Sequence, residues 1–355
     1  MPHPPAPASN LEPLVPMLAL AVYVACVGGT GALVNCTLLA TLFKSARNGV
    51  YSIITQLAIA DFGLIGVCLI QMWSSNAKNW QFGSIACSAY QGLRVFTTTV
   101  STYLIVTIAL HTLATINLEE KAAMKRNRRK LQDENEEIRT SRHSLVANSD
   151  SSTPPRTMNV DYRVIDTSVP VAPPTTFVWV LGFSLSIPEF VLATVVHVDR
   201  EVLCTSVDTN HQANMHTLLA VFETFLPIII MCVTGILVIK KLKSKKSIMV
   251  VWPDSMSALK LSIWLIGTYS VFCIPRSVTS IYNIYASSTS ESTSEISPIE
   301  LTPKSYEIAM ISLCCGAAYL AATIIRPLLC IFLLPRLKKV ICKNCKDVDN
   351  NINNV

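Results

Sequence analysis

Charge is what this chain of 355 residues has least of: Asp, Glu, Lys and Arg make up 15% of it, against 51% hydrophobic residues. Mean hydropathy is +0.44. So little charge excludes an ordinary water-soluble globular protein, in which roughly a quarter of residues are charged. Catalytic signatures are missing as well. The chain contains no HExxH, GxSxG or GxGxxG, and its histidines, among them His111, His197, His211 and His216, never come three together at metal-ligand spacing. The reading is a non-enzyme with no cofactor and no metal. No internal repeat is present, which argues against a transporter built from inverted halves. Residues 1–13 are Pro-rich and lack the basic region, apolar region and cleavage site of a removable leader. The first apolar segment is therefore expected to serve as the insertion signal.

What the chain has in abundance is apolar runs. A spanning helix needs roughly 20 mostly apolar residues to cross about 30 Å of hydrocarbon, because lipid cannot hydrogen-bond an open backbone. Seven stretches qualify, near Leu14 to Phe43, Ser52 to Trp73, Ile85 to Ile116, Thr176 to Val198, Met215 to Ile239, Ser257 to Tyr285 and Tyr306 to Leu334. The expectation is an all-α membrane protein, a bundle of seven transmembrane helices over residues 14–334. An odd number of spans puts the termini on opposite sides, and Lys/Arg placement orients them. Lys44 and Arg47, Lys240 to Lys246, Arg336 to Lys339 and ten basic residues between Lys121 and Arg163 fall on one side. The other side carries Lys78, Arg200 and Lys304 and is otherwise acidic (Glu12, Asp199, Glu201, Asp208, Glu291, Glu295, Glu300, Glu307). The basic side is read as cytoplasmic, leaving residues 1–13 as a short extracellular N-terminus on a multi-pass plasma-membrane protein. Sequence pI of 8.7 then reflects topology and contact with the lipid bilayer; basic residues spread over four juxtamembrane segments argue against nucleic acid.

Between the spans, residues 286–304 read as a flexible Ser/Thr/Glu-rich outer loop. Residues 117–175 read as a long disordered inner loop with a helix-prone start at Glu119 to Arg139. Serines near Arg139 and Arg142 leave that loop either a phosphorylated regulator or a plain spacer. The triplet Asn35-Cys36-Thr37 lies mid-span, out of reach of glycosylation. Of twelve cysteines, most sit in apolar segments as small hydrophobes. Cys87 and Cys204 lie on the oxidising side, where a disulfide persists, and are expected to be bridged. Cys342 and Cys345 follow the last span in a basic run of the tail, 335–355, which could include a short membrane-lying helix. They suit lipidation better than a zinc site, which a lone C-x-x-C supports weakly.

Several residues, in order along the membrane portion, carry a resemblance to the rhodopsin-like family of G protein-coupled receptors. Asn35 lies in the first helix. Leu57-Ala58-Ile59-Ala60-Asp61 is the family's LAxAD, and Trp80-Gln81-Phe82-Gly83-Ser84-Ile85-Ala86-Cys87 its WxFGxxxC. Trp179 with Pro188 marks the fourth helix and Cys204 the second outer loop. Pro227, Pro275 and Pro327 match the family prolines of helices five, six and seven. The resemblance implies a receptor for an extracellular ligand, with a heterotrimeric G protein or arrestin as inner partner.

The departures concern switching. Where the family has Asp-Arg-Tyr, this chain has His111-Thr112-Leu113; CWxP reads Phe272-Cys273-Ile274-Pro275; the inner tyrosine of helix five is Gly235; NPxxY reads Arg326-Pro327-Leu328-Leu329-Cys330. His111, Thr112, Leu113 and Cys330 therefore hold the partner-facing switch positions without the usual groups. Two readings stay open: a receptor with a rewired activation path, or a receptor-like protein that binds ligand or partner without conventional G-protein coupling.

Charges inside the spans need partners, since an ionised group in hydrocarbon is costly. The resemblance places Arg326 opposite Asp61, and an internal Asp61–Arg326 ion pair is expected; the alternative has Arg326 snorkelling and Asp61 neutral. In the family that aspartate, with a serine matched by Ser101, helps hold sodium, so a guanidinium there implies no sodium site. Helical spacing puts Arg94, Thr98, Ser101, Ile105, Ile108 and Thr112 on one stripe. By resemblance Arg94, Arg276 and Glu223 line the ligand pocket, where two guanidinium forks suit a carboxylate, sulfate or phosphate. The competing account neutralises both arginines with Glu223 and Glu189. Leu320 at the retinal-lysine position excludes a visual pigment, and Arg94 at the amine receptors' aspartate opposes a cationic amine. A peptide or an anionic small molecule remains as ligand. His197 to Asp208 could form a hairpin lid or a plain loop.

Overall fold

In the computed structural model, residues 13–44, 49–77, 79–144, 169–198, 201–206, 209–244, 253–279, 281–282 and 303–341 are described. Among these, seven helices are long and apolar enough to cross a membrane. They are α1 (Met17–Lys44), α2 (Gly49–Ala77), α3 (Gly83–Ser144) and α4 (Ala172–Leu192). A hairpin of β1 (Ala193–Val198) and β2 (Glu201–Ser206) follows. Next comes α5, built of Thr209–Leu219, a π-helical turn Ala220–Phe225 and Leu226–Lys243. Pro253–Thr268, the π turn Tyr269–Cys273 and helical residues 274–279 make α6. Pro303–Leu333 is α7, and residues 335–341 form a short further helix.

The bundle is organised around α3. In its apolar window 78% of residues are buried, against 17% for α1, so α3 is the central post and α1 an outer stave. The stripe of Ser101, Ile105, Ile108 and Thr112 is at most 1% exposed, as a helix packed on several sides requires. Close approach of α4 to α3 depends on Gly182, where a Cβ would lie 2.6 Å from Val100 Cγ2.

Three family prolines act through the carbonyls they leave open. Proline has no N–H and its ring crowds the carbonyl one turn back. In α5 the turn before Pro227 widens to a π turn, closed by Leu226 N–H donating to Val221 O. Phe222 O then accepts from the Tyr103 hydroxyl at 2.8 Å and Glu223 O from the Tyr269 hydroxyl at 3.2 Å. The same widening precedes Pro275, with Ile274 N–H donating to Tyr269 O. In α7 the carbonyl opened by Pro327 is that of Thr323, and Asn35 of α1 donates to it at 2.9 Å. Asn35 is fully buried because it has this bond to make.

Three expectations are corrected. The fourth span ends at Leu192 rather than Val198: Ala193 turns extended (φ −73°, ψ 135°), and the β-branched run Thr194, Val195, Val196 pairs with Thr205, Cys204 and Leu203, favouring a strand. The hairpin thus begins at Ala193, ahead of the expected His197; Val207 and Asp208 lie outside the described residues. Third, the inner loop does not begin at 117, since α3 runs unbroken to Ser144. Its continuation, Lys121, Lys125, Arg126, Arg128 and Arg129, is rich in helix formers and no longer needs burial. Residues 145–168, 286–302, Cys342 and Cys345 lie outside the described residues.

The hairpin is fastened to one end of the bundle, called here the hairpin end. Cys87 and Cys204 are disulfide-bonded, Ser88 donates to Ala193 O at 2.7 Å, and Gln91 to Cys204 O at 3.1 Å. Trp80, 4% exposed, packs beneath it with Cys87 and Ala193. Its backbone N–H donates to Val202 O at 2.7 Å and its indole to Gly83 O at 2.8 Å. Gly83 has φ +81°, a conformation that glycine adopts without strain. The opposite end, with Lys240, Lys241, Lys243, Lys338 and Lys339, is called the lysine end.

Candidate functional site

Beneath the hairpin the helices enclose a cavity of about 610 Å³, within the usual range of ligand sites. Arg94 of α3, Glu223 of α5 and Arg276 of α6 all line it. Arg276 is held in place: Nη2 donates to Gln71 Oε1 at 2.6 Å, and the guanidinium carbon stands 4.2 Å over the Tyr319 ring, a cation–π geometry. Glu223 Oε1 accepts from the Thr99 hydroxyl at 2.8 Å. The π turn in α5 swings Glu223 inward, toward α3, rather than to lipid. Among the described residues neither arginine has a carboxylate within 4.0 Å; the ion pairs present are Lys241–Glu120, Arg326–Asp61 and Arg336–Asp254. Neutralisation by direct contact with Glu223 or Glu189 is therefore not the arrangement found. Tyr90 and His216 line the cavity too. Sequence reasoning missed both, since neither carries a motif and only the fold brings them to the hairpin.

At the cavity floor is Cys273, 5% exposed, and below it a cluster of charge. Arg326 Nη1 lies 2.8 Å from Asp61 Oδ1 and donates to Ser101 Oγ, also at 2.8 Å. The Ser101 hydroxyl donates to Asp61 Oδ1 at 3.1 Å, and Arg326 Nη2 to Cys273 Sγ at 3.2 Å. Asp61, Ser101 and Arg326 are each 1% exposed. The alternative in which Arg326 snorkels is not the geometry found. Depth without a partner would be prohibitive, and the pair with its serine supplies one. A guanidinium also bonds the thiol of Cys273, so the cavity beneath the hairpin and the charge cluster share a wall.

Toward the lysine end the four positions expected to act as switches are packed inside. His111 is 7% exposed, Thr112 1% and Cys330 1%; Leu113 is half-buried against Ile116, Val238 and Leu259. The Thr112 hydroxyl donates to Ile108 O at 2.7 Å within its own helix, so it cannot replace an arginine's reach. Polar bridges close this end instead. Lys241 of α5 meets Glu120 of α3 at 2.5 Å, Ser255 of α6 donates to Glu119 at 2.7 Å, and Arg336 pairs with Asp254 at 2.6 Å. Among the described residues no group of three or more His, Cys, Asp or Glu is arranged to hold a metal.

The family model described as 7 transmembrane receptor (rhodopsin family) matches residues 32–131 and 157–317. That is more than half of the chain, and the chain belongs to the rhodopsin-like family of seven-transmembrane receptors. It is a multi-pass membrane protein and a receptor of the G protein-coupled class. No curated protein matches it.

Proposed function

We propose that this receptor sits in the plasma membrane with its hairpin end outside, and that the cavity beneath the hairpin binds a peptide or small molecule through an anionic group. The observation that carries this reading is the pair of arginines. Arg94 and Arg276 line one cavity with no carboxylate at ion-pair distance among the described residues, and Arg276 is already oriented by Gln71 and Tyr319. A pre-oriented guanidinium loses little freedom on binding, and its fork matches a carboxylate, sulfate or phosphate. The Lys/Arg-rich end is cytoplasmic by the positive-inside rule.

The test is a cell-based screen of acidic peptides and acidic lipids that reads G-protein dissociation and arrestin recruitment together. Arg94→Ala with Arg276→Ala should abolish binding of any hit, and preserved affinity refutes the anionic-end reading. A second reading, binding without conventional coupling, is favoured by Thr112, whose short side chain bonds its own helix where the family has arginine. Measurable binding with silence in both readouts supports it.

A further inference from the structure

On the α3 wall of the hairpin-end cavity, Gln91 and Arg94 each hold a polar atom out of water without a bond. Among the described residues neither Gln91 Oε1 nor Arg94 Nε has a hydrogen-bond partner. Buried polar atoms in native proteins are nearly always satisfied, and one left open costs the full desolvation of the group. Residues three apart on a helix are neighbours on its surface, with about 5–6 Å between Cβ atoms. One of these atoms is a donor and the other an acceptor, yet they do not bond each other.

The hairpin keeps them apart. Gln91 Nε2 donates to Cys204 O at 3.1 Å, and since a carbonyl can only accept, that bond fixes which end of the side-chain amide is which. Cys204 is in turn tied to Cys87 of α3 by the disulfide. The Gln91 amide is thereby anchored by its nitrogen, and its oxygen is left open as an acceptor. A guanidinium is always charged and its N–H groups only donate. A ligand group that satisfies both atoms therefore carries an acceptor, best an anion, beside a donor. A carboxylate or sulfate alone supplies the first and lacks the second. An α-hydroxy acid has both, but its hydroxyl ends the branch, and the molecule is small for a cavity of about 610 Å³. An amide nitrogen donates its proton and still carries the chain onward. The body that follows has Val95, Leu203, Leu219 and Tyr269 to pack on.

We infer that the hairpin-end cavity recognises an N-acylated α-amino acid with a free carboxylate, the carboxylate bound by Arg94 and the adjacent amide N–H by Gln91 Oε1. This unit ends every peptide with a free carboxyl terminus and also occurs in free N-acyl amino acids. The inference rests on the anionic-end reading of the same cavity and narrows it, since Arg94 and Arg276 alone accept any anion. Gln91 supplies the discrimination, because an anion without a neighbouring donor leaves its oxygen unpaired.

The test is calorimetric titration of the full-length receptor in lipid nanodiscs, corrected against nanodiscs without receptor. Probes are acetylated tripeptides, acetyl amino acids and palmitoyl amino acids, all with a free carboxylate and with every natural amino acid in turn at the last position. The tightest binder is then compared with an ester twin, in which oxygen replaces the last amide N–H, and with a carboxamide twin, in which the charge is removed. The ester twin should bind about tenfold more weakly, the scale of one buried acceptor left unpaired, and the carboxamide twin at least as weakly. On Gln91→Met the amide and ester forms should bind alike. If Gln91 only anchors the hairpin, both forms weaken together and the tenfold ratio survives, which overturns the inference. The twins on the parent receptor decide the matter even if Gln91→Met fails to fold. Equal binding of amide and ester overturns the inference and leaves the anionic-end reading standing, whereas equal binding of carboxylate and carboxamide overturns both. No saturable binding by any probe overturns the inference alone, because acidic hits of other chemistry still test the arginine pair. A tripeptide bound about tenfold tighter than either kind of acyl amino acid assigns the unit to a peptide, and any other order assigns it to a free acyl amino acid.

Discussion

Arg326→Met is the perturbation that interrogates the centre of the bundle most directly. The substitution keeps length and apolar volume while deleting the charge. It removes a 2.8 Å contact to Asp61, a 2.8 Å bond to Ser101 and a 3.2 Å bond to Cys273. Asp61, 1% exposed, is left with Ser101 alone among the described residues. Deleting one partner of a buried pair destabilises by about 3–5 kcal/mol, most of it the cost of the charge left behind. Replacing both charges, Asp61→Leu with Arg326→Met, should restore stability to near the parent or above it, as apolar replacement of buried pairs does. The two residues lie in one network, so their effects should be strongly non-additive. The assay is thermal unfolding of purified receptor in nanodiscs, run in sodium and in an equal concentration of a larger monovalent cation. The parent should not distinguish the cations, because the guanidinium fills the place of a mobile cation. Arg326→Met should gain stability from sodium, which can approach Asp61 and Ser101. If Arg326→Met melts with the parent, or sodium stabilises the parent far more than the larger cation does, the reasoning is refuted.

Other consequences are open to the same melting assay. Asn35→Leu removes the donor to Thr323 O and leaves beside Pro327 a carbonyl that nothing replaces, a loss of about 1–3 kcal/mol. Gly182→Ala places a methyl 2.6 Å from Val100 Cγ2, so α4 must move off α3 at a cost of about 1–3 kcal/mol. Cys204→Ser opens the link between β2 and the start of α3, across a sequence separation of 117 residues, and should destabilise by about 2–4 kcal/mol. By contrast Asp254→Asn breaks a pair whose side chains are 43% and 35% exposed and should change stability by less than about 1 kcal/mol.

How much of this was legible beforehand depends on the range of the cause. The seven spans announce themselves because the requirement to close every backbone hydrogen bond in lipid acts on each segment alone. Pro227, Pro275 and Pro327 are likewise local. Where local signals were ambiguous they misled. Thr194, Val195 and Val196 are as apolar as a span, and only pairing with β2 makes them a strand. Glu119 to Arg139 reads as helix-prone but as the start of a separate loop, whereas the helix simply continues from the span to Ser144, because a good helix former already nucleated by a buried segment has no reason to stop.

The sequence by itself determined that this is a membrane bundle of the rhodopsin-like family, that Asp61 and Arg326 both lie at apolar depth, and that the usual inner-face arginine is absent. It named Arg94, Glu223 and Arg276 by resemblance alone. Tertiary structure decided that these three share one cavity without pairing with one another, that Gln71 and Tyr319 orient Arg276, that Cys273 joins this cavity to the charge cluster, and that Tyr51 and His111 line a second cavity at the other end. The reason is physical. Hydrophobicity and helix formation are properties of short segments, whereas a contact such as Asp61 to Arg326, 265 residues apart in sequence, exists only once α2 and α7 pack side by side.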